Sequence, residues 1–217
     1  MKKLNGNQQG FTIIELLIAT MVFSMILLLC AIAIVQVGKM YYKGITMSRT
    51  QGVSRVLMDD ITQAIQFGTG GTGTFVTIGG PVTKTLGTLS VDVHVLCIGS
   101  VRYSYVLNLQ AADEVKHVLW KDRMGPADIC EPLNMLEDQP SPNGEEFMGD
   151  HMRITKLGIS NTGNLFSTNL TISYGSADLF TNSTVPADPD YLSVCKSEQG
   201  SQFCTVSTLN TSVAKRL

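Results

Sequence analysis

The run FTIIELLIATMVFSMILLLCAIAIVQV starts at residue 11, directly after MKKLNGNQQG, and a single carboxylate, Glu15, breaks it near its beginning. From Leu16 to Val35 the polar residues are Thr20 and Ser24, and about 20 predominantly apolar residues are enough to cross a bilayer. A carboxylate in such a run costs about 2.5 to 3.5 kcal/mol on insertion scales and marks a functional site with a partner. No Lys or Arg lies between Lys3 and Lys39, so the helix itself offers no cation. Cleavage after Gly10 would create an α-amine on Phe11, four residues before Glu15. A second copy of the helix, displaced along its axis, could bring that amine to the carboxylate and satisfy both charges away from water. The junction therefore reads as an assembly device.

A secretory signal peptide fits less well, because its small-residue cleavage site follows the apolar region, whereas Gly10 precedes it here. The short basic leader, the Gly, the aromatic first residue and the Glu at the fifth position after the Gly make this chain resemble the type IV pilins and pseudopilins. Gly10, Phe11 and Glu15 match that signature one by one. The resemblance implies that a prepilin peptidase cuts between Gly10 and Phe11, that the new amine of Phe11 is methylated, and that Glu15 pairs with a neighbour's N-terminus during assembly. It also implies other pilins or pseudopilins, the inner-membrane assembly platform and the lipid bilayer as partners. The expected location is the cytoplasmic membrane, crossed once with the head outside, and then a surface pilus or a periplasmic pseudopilus. Adhesion and motility pili, secretion pseudopili and DNA-uptake filaments share this N-terminal signal.

The expected organisation is a leader over residues 1–10, a transmembrane helix over 11–37, an amphipathic continuation over 38–67 and one β-rich head over 68–217. A helix from Phe11 to Phe67 would be roughly 85 Å long at about 1.5 Å per residue. Beyond Val37, Val53, Val56, Leu57, Ile61, Ala64 and Ile65 recur at helical spacing, opposite Arg49, Gln51, Arg55, Asp59, Gln63 and Gln66; this stripe should pack on a sheet. Gly38, Gly44 and Gly52 each weaken a helix interior by about 1 kcal/mol relative to Ala, so bending is expected there. Many pilins carry a proline in the membrane helix, but here the first is Pro81.

Gly68, Gly70 and Gly73 formally satisfy GxGxxG, but a dinucleotide site needs a strand before and a helix after; the order is the reverse, and a connector is expected. In TLSVDVHVLCI, Val91, Val93, Val95 and Cys97 alternate with Asp92 and His94, the pattern of a strand with one apolar face. VRYSYVLNL groups Val101, Tyr103, Tyr105, Leu107 and Leu109, and the Gly99-Ser100 link suits a tight hairpin. A third strand is expected over Val115 to Trp120, reached by a turn at 111–114, then an irregular stretch from Lys121 to Gly149. Two more strands, MRITKLGI and LFSTNLTISYG, are joined through Asn161-Thr162-Gly163-Asn164, and a Pro- and Ser-rich tail follows from Val185. A long helix followed by an antiparallel sheet is an α+β, pilin-like fold. Within the family, VRYSYVLN, VKHVLWKD and the large head are most similar to the J-type pseudopilins and W-type minor pilins.

Cys30 sits in the apolar helix, where a free thiol packs as a small hydrophobe. Cys97, Cys130, Cys195 and Cys204 form an even set in an exported domain, which favours disulfides in one of three pairings. The pairs nearest in sequence are Cys97 with Cys130 and Cys195 with Cys204. No CxxC pair or His at ligand spacing favours zinc, so no metal and no cofactor are expected. The formal net charge of −2 becomes −4 when Lys2 and Lys3 leave with the leader, which gives no basic footprint for nucleic acid. His94, His117 and His151 are scattered, and no GxSxG, HExxH or Walker pattern occurs. The chain thus reads as a structural subunit and not an enzyme: a minor pilin or pseudopilin that primes or caps a filament. The alternatives are a tip adhesin that binds through the Lys121 to Gly149 loop or the disulfide loop, and a major pilin.

Overall fold

The computed structural model describes residues 11–68, 75–110, 115–125, 128–182, 184, 191–197 and 200–216. The turn expected at 111–114 and most of the connector after Gly68 lie outside them. The protein is α+β: among the described residues a long helix, α1 (Ile13–Phe67), precedes eight strands in two antiparallel sheets. The chain divides into two compact units, residues 1–41 and residues 42–217. The described part of the first unit is residues 11–41, which hold the start of α1, a helix long and apolar enough to cross a membrane, with its large hydrophobic side chains exposed there.

The second unit has a five-stranded sheet in the order β1 (Val76–Leu86), β2 (Leu89–Ile98), β3 (Val101–Val106), β4 (Leu119–Arg123) and β5 (Glu145–Glu146). A three-stranded sheet follows, with β6 (Met152–Thr162), β7 (Leu165–Tyr174) and β8 (Thr205–Ala214). Leu57, Met58, Ile61 and Ile65 of α1 share one core with Leu96, Ile98 and Tyr103 of the first sheet and Phe166, Leu170 and Ile172 of the second. Val56, expected on this stripe, is 60% exposed. The buried stripe instead continues backward through Thr46, Thr50 and Ser54. Their hydroxyls donate to the carbonyls of Tyr42, Thr46 and Thr50, at 3.1, 2.8 and 2.8 Å. Polar side chains that satisfy themselves on the preceding turn can be buried without a separate partner.

Pairing register fixes which face of the first sheet meets the helix. Leu96 pairs with Tyr103 and Tyr103 with Lys121, and opposed residues project to the same side. Tyr103 Oη donates to Asp60 of α1 at 2.6 Å, and Lys121 Nζ to the same carboxylate at 2.7 Å, so this row faces the helix. The intervening row, Cys97, Arg102 and Asp122, lies under the segment after β4. There Cys97 is disulfide-bonded to Cys130, Arg102 Nη1 donates to the Glu131 carbonyl at 3.2 Å, and Leu133 N donates to Ser104 Oγ at 3.0 Å. The valine face of β2 is thus not the face that receives the helix. Leu96, Cys97 and Ile98 are all buried because that end of β2 is covered on both sides.

Several strand expectations require correction. β1 is absent from the sequence reading, because Gly79-Gly80-Pro81 interrupts its pattern. The ladder shifts register between Gly79 and Val82, and β1 is an edge strand, where a bulge and a proline are tolerated. The third strand is Leu119–Arg123 and not Val115 to Trp120; Val115 and Val118 are buried outside the named strands. Lys121 to Arg123 therefore leave the supposed loop, and Glu145–Glu146 pairs with Trp120 and Lys121. Met135, Leu136 and Met148 of that segment are core residues. The β6–β7 turn is only Gly163-Asn164, with Gly163 at φ 64°, a value L-residues rarely adopt. The end of the tail forms β8, paired with β7 from Tyr174↔Thr205 to Leu165↔Ala214. Gly38, Gly44 and Gly52 do not interrupt the helical assignment of α1.

Candidate assembly site at the start of the helix

The first turn of α1 is closed by its own side chains. Leu16 N donates to the Thr12 carbonyl at 3.2 Å, which makes Thr12 the residue that opens the helix. Thr12 N and Thr12 Oγ1 both donate to Glu15 Oε2, at 2.9 and 2.7 Å, and Glu15 N donates back to Thr12 Oγ1 at 3.3 Å. This is a reciprocal capping box: a hydroxyl at the helix start and a carboxylate three residues on satisfy amides that have no partner within the helix. A carboxylate in the first turn also meets the positive end of the helix dipole.

Both Thr12 bonds fall on Oε2; among the described residues Oε1 accepts none. Phe11 is 77% exposed. The expected cleavage position, Gly10, lies outside the described residues. The cost of a buried charge points to Glu15 and not to Thr12, although the spacing Thr-x-x-Glu is visible in the sequence.

The other expected positions lie elsewhere. Cys97 is bonded to Cys130 and Cys195 to Cys204, while Cys30 is free and exposed. Among the described residues no three of His, Cys, Asp and Glu converge as metal ligands. His94 stacks on Tyr105 at 5.4 Å, and burial pulls its pKa down. His117 Nδ1 lies 3.2 Å from Glu146 Oε2, a contact between residues 29 apart that sequence periodicity does not reveal. Burial is the largest influence on Glu146 and raises its pKa, against the amides of Met148, Leu119 and Val118 and against His117.

Residues 5–35 match the prokaryotic N-terminal methylation motif, and the span includes Gly10, Phe11 and Glu15. That match supports a type IV pilin or pseudopilin subunit and implies processing by prepilin peptidase and assembly with other pilins. Searches of curated proteins and of solved structures find no match to the chain.

Proposed function

We propose that this chain is a minor subunit of a type IV pilus-like filament, of the kind represented by the J-type pseudopilins and W-type minor pilins. In this reading residues 1–10 are a leader removed after Gly10, and Phe11 becomes a methylated N-terminus. Residues 11–37 span the cytoplasmic membrane once, residues 38–67 carry the helix on, and residues 68–217 form the extracytoplasmic head. The assembly platform then transfers the subunit into a surface pilus or a periplasmic pseudopilus.

The observation that carries the reading is Glu15 within the methylation motif, capping the first turn of a membrane-length apolar helix. The cap occupies one carboxylate oxygen and leaves Oε1 for the amine of a neighbouring subunit. Intramolecular capping lowers the cost of holding the acid in the membrane before assembly, and the second oxygen supplies the intersubunit contact. A minor role is supported by a head with two sheets and two disulfides, which would crowd a lattice if every subunit carried it.

The mass of the mature chain tests this. It should correspond to a methylated Phe11 start and to the loss of four hydrogens in the two disulfides. A mass that still includes residues 1–10 would overturn the processing. In sheared filaments this chain should be a scarce component; finding it as the dominant subunit would overturn the minor role.

A further inference from the structure

One apolar feature of the second unit serves neither its core nor the assembly motif. Phe203 is 46% exposed, and its ring lies 6.0 Å from that of Tyr42, itself 56% exposed. Phe203 ends a short 3-10 turn, Ser201–Phe203, entered through Gly200 at φ 98°. The next residue, Cys204, is buried and bonded to Cys195. The turn is also held against α1, because Thr46 Oγ1 lies 3.5 Å from the Gln202 carbonyl and 3.3 Å from Thr205 Oγ1. A disulfide and the helix thus fix an exposed aromatic ring in place. Ile45, one turn beyond Tyr42, adds a further 46% exposed apolar side chain, and Lys43, next to Tyr42 in sequence, is exposed.

The occupant of this patch follows from its place along the chain. The apolar run ends near Val37, and five residues of α-helix advance about 7.5 Å. That rise brings Tyr42 from the edge of the hydrocarbon into the headgroup layer, where tyrosine is enriched because one end of its ring is apolar and the other polar. A lysine at that depth meets phosphate groups.

We propose that Tyr42, Phe203 and Ile45 form a lipid-contact seat, with Lys43 at its polar edge, by which the Ser201–Phe203 turn rests on the bilayer surface before the subunit enters a filament. The inference rests on the membrane-anchored reading of α1. In it the Cys195–Cys204 loop serves to hold one aromatic residue at the interface beside the helix.

The test uses the full chain reconstituted in phosphatidylcholine–phosphatidylglycerol vesicles, with tryptophan as the reporter. Trp120 is the chain's only native tryptophan and is buried in the core, so it supplies a constant background. Phe203→Trp and, separately, Tyr42→Trp should each add emission at shorter wavelength than a water-exposed indole. Lipids brominated near the headgroup should quench that added emission, and those brominated deep in the acyl chain should quench it less. Leu27→Trp, inside the apolar run, should show the opposite preference.

If Leu27→Trp is quenched by deep bromines while the two seat reporters emit as exposed indoles without quenching, the seat is wrong and the membrane reading stands. If Leu27→Trp escapes quenching as well, the membrane reading fails and the seat fails with it. Both seat positions are half-exposed, so tryptophan is accommodated there. Agreement between reporters on the helix and on the loop guards against misfolding of either.

Discussion

Arg102 and Asp122 face each other across β3 and β4 in a bidentate ion pair, Nε to Oδ1 at 2.9 Å and Nη2 to Oδ2 at 2.6 Å, with side chains only 11% and 2% exposed. The pair lies beside Cys97, which is register-paired with Arg102, and the same guanidinium holds the Glu131 carbonyl next to Cys130. Removing one member strands the other charge out of water, which costs about 3 to 5 kcal/mol for a buried pair. Asp122→Ala in the full chain in detergent should therefore lose several kcal/mol by denaturant titration. Arg102→Lys should lose less, since it keeps the charge but not the planar fork. Equal, sub-kcal/mol losses for both would mean that the pair is solvated.

The capping box separates two roles of Glu15 that a single substitution would confuse. Gln also serves at the third position of a capping box, so Glu15→Gln should keep the helix start and membrane insertion while sharply reducing the subunit in sheared filaments. Glu15→Val removes the carboxylate half of the capping box together with the charge and should assemble no better. Thr12→Ala should cost about 1 kcal/mol at the helix start yet leave assembly largely intact. Immunoblots of filament and membrane fractions decide between them, and wild-type incorporation of Glu15→Gln would show that the charge is not required.

The helix and its acid were legible because each is a local signal: an unbroken apolar run, and one charge placed where charge is expensive. β1 was not, since Gly79-Gly80-Pro81 hides a ladder that resumes after a register shift. β8 was hidden for another reason. Two of its inward residues are Thr205 and Ser207, both 7% exposed, so hydropathy alternation fails where burial alternates. Val56 misled because the stripe turns toward Thr50 and Ser54, whose hydroxyls bond to the preceding turn. The contacts of Glu146 with His117 and of Tyr103 with Asp60 join residues 29 and 43 positions apart, and no local periodicity encodes them.

Glu146 gives a pH dependence of defined sign. Its carboxylate accepts from the amides of Val118, Leu119 and Met148 and contacts His117 Nδ1, but burial outweighs these and raises its pKa above the ordinary value of 4.5. The folded state then holds this proton more tightly than the unfolded state, so stability falls as pH rises from about 4.5 through the raised value. Glu146→Gln should flatten that part of the stability profile relative to wild type. The comparison is made by thermal unfolding across a pH series, and parallel profiles would place the titration elsewhere.

The two disulfides should contribute unequally. Cys97–Cys130 spans 33 positions and Cys195–Cys204 spans 9, and in the chain-entropy account the longer closure removes more freedom from the unfolded chain. The expected contributions are about 4 and about 3 kcal/mol. The Cys97→Ser/Cys130→Ser double variant should therefore be the less stable, by roughly 1 kcal/mol on this account. The Cys195→Ser/Cys204→Ser variant should keep more of the global stability, because Phe180 and Leu192 still bury the same small cluster around residue 204. Denaturant titration of both variants in the same detergent measures the difference. A larger loss from the shorter loop would mean that the Cys195–Cys204 bond acts through native-state packing and not through the unfolded chain.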